Sequence, residues 1–216
     1  MALNNEIKIQ IATGANSIAL QDFLREEFGN SSPLIEGFKN ANMYVEFPKR
    51  DNSRILGIIS EGLTLIATDR FDNIIGVIES QQYIVNKYEE LPDAIRTNRM
   101  LCQISDVVDT IDSAISAHTN QNNNKEVVMN VICVHKEWRR KGLSYALLQN
   151  AINLFRHNGF EQIRAICVSE YSRKLLVNKG FESVCSIDYE EFRKRGRLDA
   201  VPPSPHSNVT GMILKL

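Results

Sequence analysis

A single domain of α/β (α+β) class on a mixed sheet is the architecture this sequence predicts, and three observations predict it. Residues 127–134 are almost wholly apolar, the pattern of a central strand buried on both faces. Directly after them, Leu143, Leu147, Ala151, Leu154 and Phe155 recur at helical spacing, and residues 163–168 form a second apolar run. Upstream, residues 62–68 and 74–83 flank a turn rich in Asp and Asn, the signal for an antiparallel hairpin.

The remaining elements follow in chain order. Residues 6–12 alternate apolar and polar and read as a strand. Ile18, Ala19, Phe23, Leu24 and Phe28 give a helix over 16–28, which Gly29, Asn30, Ser31 and Ser32 break. Pro33 suits the first turn of a second helix, with Ser32 as its cap, running to about Asn42. A strand-rich region is expected next, then a weakly periodic helical stretch over 88–118 and a polar loop over 120–124. Gly159 suits the C-terminal cap of the helix that begins at Gly142. A short helix over 171–179, strands over 184–189 and 209–216, and a basic then proline-rich segment between those strands complete the chain. No repeat or domain boundary interrupts residues 1–216.

Composition narrows the function. With 216 residues, 43% hydrophobic, the chain can bury a substantial core. A formal net charge of −1 argues against nucleic-acid binding, so any anion site must be local. Cys102, Cys133, Cys167 and Cys185 form no CxxC pair and read as reduced, buried thiols. The first ten residues lack an apolar signal core, and no apolar run approaches the ~18 residues of a membrane span. The expectation is a cytoplasmic protein without membrane association, a monomer or weak dimer. Four dispersed histidines offer no metal-ligand spacing, and the sequons at Asn30 and Asn208 are incidental in that compartment.

The most informative stretch is Glu137-Trp138-Arg139-Arg140-Lys141-Gly142-Leu143-Ser144. Three cations stand before a helix N-terminus, whose dipole prefers acidic neighbours. An anion held between the cations and the free N–H groups of the first turn resolves the conflict, and a solvated charged turn is the alternative. No Walker sequence and no GxGxxG occurs.

The segment from Arg139 to Ser144 resembles the pyrophosphate loop of the GNAT superfamily of N-acetyltransferases, Arg/Gln-x-x-Gly-x-Gly/Ala, with Ser144 in the final small position. The preceding strand and the downstream Lys179-Gly180-Phe181 stand where that family has them. Within it the chain is most similar to insect-type arylalkylamine (dopamine) N-acetyltransferases. The stretches carrying that likeness are FLREEFGNSSPL from Phe23, EGLTLIATDRFDNIIGV from Glu61, Tyr171-Ser172-Arg173, Tyr189 with Phe192, and Pro202-Pro203-Ser204-Pro205-His206.

The resemblance implies a mostly antiparallel sheet of about seven strands, flanked by helices and splayed between the fourth and fifth, with acetyl-CoA wedged into the splay. Backbone at Ile132, Cys133 and Val134 would pair with the pantetheine arm. Arg139, Arg140, Lys141, Gly142, Leu143 and Ser144 would hold the pyrophosphate, and Ser172 would lie at the thioester. The implied reaction is acetyl transfer to a primary amine of a small aryl- or alkylamine, without a metal. Only about one alkylamine in a thousand is neutral at pH 7, a deficit of roughly 4 kcal/mol that a general base offsets.

The relatives carry that base as a Glu before Pro-Leu, whereas this chain has Ser32-Pro33-Leu34. The nearby carboxylates are Glu26, Glu27 and Glu36; Glu27, one turn before the break, either reaches a water in the cleft or is a solvated helix-surface residue. Ser172 matches a serine near the thioester, or else caps its helix. His206 matches the late Pro-His and either relays a proton or closes the substrate tunnel. The general-acid tyrosine of the wider family would fall at Leu176. Phe28, Phe38, Met43, Tyr44 and Phe47 form an aromatic and apolar group suited to an arylalkylamine pocket or to ordinary core. The departure at Ser32 leaves open a catalytically weak or inactive acyl-CoA-binding relative. A protein N-acetyltransferase ranks behind, because residues 188–208 are expected to cross the groove a peptide needs.

Overall fold

The computed structural model describes residues 7–46, 52–84, 97–119 and 125–216. Seven strands form one sheet in the order β1-β2-β3-β4-β5-β7-β6. They are β1 (Lys8–Ile11), β2 (Leu65–Thr68), β3 (Ile74–Gln82), β4 (Glu126–Val134), β5 (Gln162–Cys167), β6 (Glu182–Asp188) and β7 (Asn208–Lys215). Every neighbouring pair is antiparallel except β4 and β5. A parallel pair requires a crossover, here the helix α5 (Leu143–His157).

The helices divide between the two faces because adjacent strand residues point to opposite sides. On β7, Met212 joins a core with Leu147, Leu148, Ala151 and Phe155 of α5 and with Leu176 of α6 (Glu170–Val177). Val209 and Ile213 face the other way. They join Leu34, Ile35 and Phe38 of α2 (Pro33–Asn40), Val107, Ile111 and Ile115 of α4 (Arg99–His118), and Tyr189 and Phe192 of α7 (Tyr189–Lys194). A third cluster packs α1 (Ser17–Phe23) and α3 (Asn52–Ser60) on β2, β3 and β4.

Several expectations need correction. The first helix is not broken at Gly29. It passes through a π turn at Leu24–Phe28 and a last α turn at Gly29–Ser31 before Ser32 becomes extended. Ser32 holds the cap position of α2, but its side chain makes no cap hydrogen bond. That helix stops at Asn40, and Asn42 sits at φ 56°. The region expected to be strand-rich contains α3, where Ile55, Ile58 and Ile59 bury one helical face. Residues 85–96 and 120–124, Phe47 and the first six residues lie outside the described residues, as does that part of the helical stretch over 88–118. The basic run after β6 is helical at its start, because Asp188 caps α7 by accepting from the Glu190 N–H. All four cysteines are free thiols, with Cys133 and Cys167 buried but Cys102 and Cys185 only half-buried.

Candidate active site

β4 and β5 pair from Glu126↔Gln162 to Met129↔Ala165, and there the pairing stops. β4 continues to Val134 with β3 on its other side, through Ile78↔Ile132, Val77↔Cys133 and Gly76↔Val134. The central strands are therefore splayed, as the resemblance implies. A cavity of about 1220 Å³ opens at the splay, lined by Ile132, Cys133 and Val134 of β4 and by residues from Ala165 to Ser169. Its wall continues to Arg139, Arg140 and Ser144 in one direction. It also includes Phe28, Ser31, Ser32, Pro33 and Leu34 beside α2, Tyr83 after β3, and Ile104, Val108, Asp109 and Asp112 of α4.

The loop before α5 presents bare amides. Gly142 is the N-cap at φ 83° with no side-chain cap bond, and Arg140 is also left-handed, at φ 59°. Left-handed backbone just before a helix turns successive N–H groups toward one concavity, an anion-binding nest reinforced by the helix dipole. Lys141 lies over the Trp138 ring at 5.0 Å. Leu143 is buried in the core, where it fixes the helix start against the sheet.

Glu27 is not a solvated helix residue. Its Oε2 accepts from the Lys136 N–H at 3.1 Å and from Arg139 Nη2 at 3.0 Å, and its Oε1 lies 3.5 Å from His135 Nε2. The Glu27 side chain retains 12% exposure and is not among the cavity-lining residues. Arg139 Nε also donates to the Val134 carbonyl at 2.9 Å. The π turn thus carries Glu27 onto the loop that precedes α5.

At the other side of the splay, Ser169 rather than Ser172 caps α6, accepting from the Tyr171 N–H at 3.2 Å. Ser172 lines the cavity and donates to the Ser169 carbonyl at 2.8 Å. His206 is buried and lies outside the cavity lining; its Nδ1 accepts from the Glu170 N–H at 3.1 Å, and Tyr171 stacks edge-on at 5.1 Å. Burial holds its pKa below the ordinary value, against the opposing pull of Glu36 and Glu170. Leu176 stands in the lining.

Desolvation pushes the thiols of Cys133 and Cys167 up to about 12 and about 11, so both remain protonated near neutral pH. Of the expected aromatic group, Phe28 lines the cavity. Phe38 is fully buried in the core, while Met43 and Tyr44 are outside the lining. The helical pitch of α2 turns Phe38 into the core with β7 and α4, whereas Leu34 and Ile35 belong to that core and also line the cavity. Three arginines of the basic run are paired: Arg193 with Glu190, Arg195 with Glu191, and Arg197 with Asp106.

The sequence reading missed the α4 wall. Ile104, Val108, Asp109 and Asp112 fall on one helical face, a four-residue spacing legible in the chain but masked by its weak overall periodicity. Asp112 contacts Arg164 Nη1 at 2.9 Å. Arg164 is itself buried, bonded to Glu126 at 2.7 Å and stacked 3.5 Å from the Tyr83 ring. Asp109 accepts from Ser105 Oγ at 3.2 Å. Among the described residues no group able to hold a metal ion occurs, and no helix is long and apolar enough to cross a membrane.

Comparison with known proteins places this geometry. The whole chain superposes on arylalkylamine N-acetyltransferase 2 of Aedes aegypti with a TM-score of 0.80 at 17% identity, covering 98% of this chain and 99% of that one. The polyamine N-acetyltransferase of Drosophila melanogaster, which forms N-acetylagmatine, gives 0.75 at 18% identity, with 98% and 100% coverage. A phosphinothricin acetyltransferase of Sinorhizobium meliloti, solved with acetyl-CoA, gives 0.58 at 15% identity, with 98% and 89% coverage. At such identities these likenesses establish the fold. Residues 72–181, which hold β3, β4, the bare amides and the splay, match the sequence profile of the acetyltransferase (GNAT) family, and the chain belongs to that family.

Proposed function

We propose that this protein transfers the acetyl group of acetyl-CoA to the primary amine of a small aryl- or alkylamine by direct attack on the thioester. The observation that carries the reading is one cavity whose wall carries Arg139 and Arg140 beside the bare amides at one level and the carboxylates of Asp109 and Asp112 at another. Arg139 is bonded to the Val134 carbonyl, whereas Asp112 is bonded to Arg164, which pairs with Val128. Six residues of strand separate these levels, roughly 20 Å. An anionic donor and a cationic acceptor fit such a cavity from its two ends.

The residues present suit the donor. The nest at Arg140, Lys141, Gly142, Leu143 and Ser144, with the guanidinium groups of Arg139 and Arg140, suits a diphosphate. The edge of β4 at Ile132, Cys133 and Val134, left without β5, suits the amides of a pantetheine arm. Ser172 is placed to donate to a departing thiolate if it leaves the Ser169 carbonyl. Residues 188–208 pack on α2 through Tyr189, Phe192, Leu198 and Ala200, which favours a small acceptor over a peptide.

Ser32, on the cavity wall where the relatives have Glu, supports a second reading in which acyl-CoA binds without turnover. Calorimetric acetyl-CoA binding together with thiol release across a panel of aryl- and alkylamines separates the two. Binding with turnover on at least one amine is expected. Binding without turnover favours the second reading, and no binding overturns both.

A further inference from the structure

A transferase of this kind needs a group to accept the proton of the incoming ammonium, and the position expected to supply it holds Ser32. The Glu27 carboxylate is committed to Arg139 and the Lys136 N–H, outside the cavity lining. His206 is buried outside the lining, with its Nδ1 held by the Glu170 N–H. Among the described residues that line the cavity, the carboxylates are those of Asp109 and Asp112. Asp112 is committed to an ion pair with buried Arg164. Asp109 is solvent-accessible and engages the neutral Ser105 hydroxyl.

We infer that Asp109, on the α4 wall of the cavity, is the general base of the reaction. The inference rests on the transfer reading above. The acceptor enters as R–NH3+ and gives one proton to the Asp109 carboxylate, directly or through a water. Its nitrogen lone pair then attacks the thioester carbonyl carbon, a C–N bond forms and the C–S bond breaks. The second nitrogen proton leaves with the CoA sulfur as a thiol, and Asp109 returns its proton to solvent.

The surroundings suit the role. Partial desolvation raises the pKa of Asp109; the Ser105 hydrogen bond opposes that shift, and the charges of Asp112 and Asp106 add to it. A higher carboxylate pKa strengthens the base. Around it, Asp106 is held by Arg197 and Asp112 by Arg164, which stacks on Tyr83. Arg25, in the lining from the π turn, pairs with Asp22 at 2.9 Å. No residue of the acetyl-CoA loop is in the Asp109 hydrogen bond, so removing the carboxylate spares the donor site.

The test is a pH–rate profile of the full chain and of Asp109→Asn, Asp109→Glu and Ser105→Ala, beside calorimetric acetyl-CoA titrations of each. Asp109→Asn is expected to bind acetyl-CoA as the unaltered chain does. It should lose at least ~100-fold in kcat/KM at pH 7, together with the acidic limb of the profile. Asp109→Glu should restore part of the rate with its limb displaced. Ser105→Ala should move the limb to higher pH, because the bond it removes lowers the Asp109 pKa. A merely structural Asp109 would leave the limb in place. Normal turnover of the unaltered chain with an unchanged profile in Asp109→Asn overturns this inference alone. No turnover by the unaltered chain on any amine overturns the transfer reading and this inference with it.

Discussion

Arg139 and Glu27 lie 112 positions apart in the chain, yet Nη2 of one meets Oε2 of the other at 3.0 Å. The contact joins the π turn that leads to Ser32 with the loop that precedes α5. Nε of the same guanidinium holds the Val134 carbonyl, so one side chain ties together the end of β4, the first helix and the bare amides.

Replacing Arg139 by Met should weaken acetyl-CoA binding about 10- to 100-fold. Hydrogen bonds to charged groups contribute about 1.5–3 kcal/mol, and about 1.4 kcal/mol is a factor of ten. Titration calorimetry at two salt concentrations checks this. If acetyl-CoA phosphates lie at this loop, the variant should also show a shallower salt dependence, having lost a cation beside them.

Gly142→Ala places a Cβ at φ 83°, where nothing lies within 4 Å but the backbone disfavours any side chain. The expected cost is about 1–2 kcal/mol in denaturant melts. Acetyl-CoA affinity should fall as well, because the amides of the nest rotate when that φ relaxes.

Arg164→Ala leaves Glu126 buried beside Asp112 without its cation. Loss of one partner of a buried pair costs about 3–5 kcal/mol, so the melting transition should drop markedly. Arg164→Met with Glu126→Gln should recover much of that loss, since the uncompensated charge is then gone.

The folded-state pKa of His206 lies below 6.5, chiefly through burial. The unfolded chain therefore takes up the proton first as pH falls, and stability declines as pH drops through about 6.5. Thermal melts between pH 7.5 and 5.5 should show that decline, and His206→Gln should flatten it. A decline of equal size in the variant would assign it to other groups.

Cys133 and Cys167 should resist alkylation at pH 8. With pKa values of about 12 and about 11, their thiolate fractions are only on the order of 1 in 10,000 and 1 in 1,000. Mass spectrometry after timed labelling should find half-buried Cys102 modified ahead of both.

The parts legible in the sequence were those whose signals are local. The alternation or apolarity of each strand, the stripe of α5 and the Arg139-to-Ser144 spacing are all written in short windows, and the resemblance supplied the splay. Other features depend on distant contacts. The extra turn at Gly29–Ser31 overrides a glycine and serine break because Glu27 and Ser31 find partners on the β4 loop. Whether Phe38 faces core or cavity is decided by the packing of α2 on α4 and β7. In the sequence nothing marks Asp109 apart from other polar residues, and only the apposition of α4 to the central strands gives it a place in the cavity.

The parting of β4 and β5 beyond Met129 and Ala165 puts a seam through the middle of the molecule. Beyond those residues the edge of β4 that faced β5 has no strand of this chain beside it. An extended ligand that filled the seam would act as a missing strand. On the transfer reading, acetyl-CoA lying in the seam would also stabilise the folded state by mass action, so its addition should raise the melting temperature.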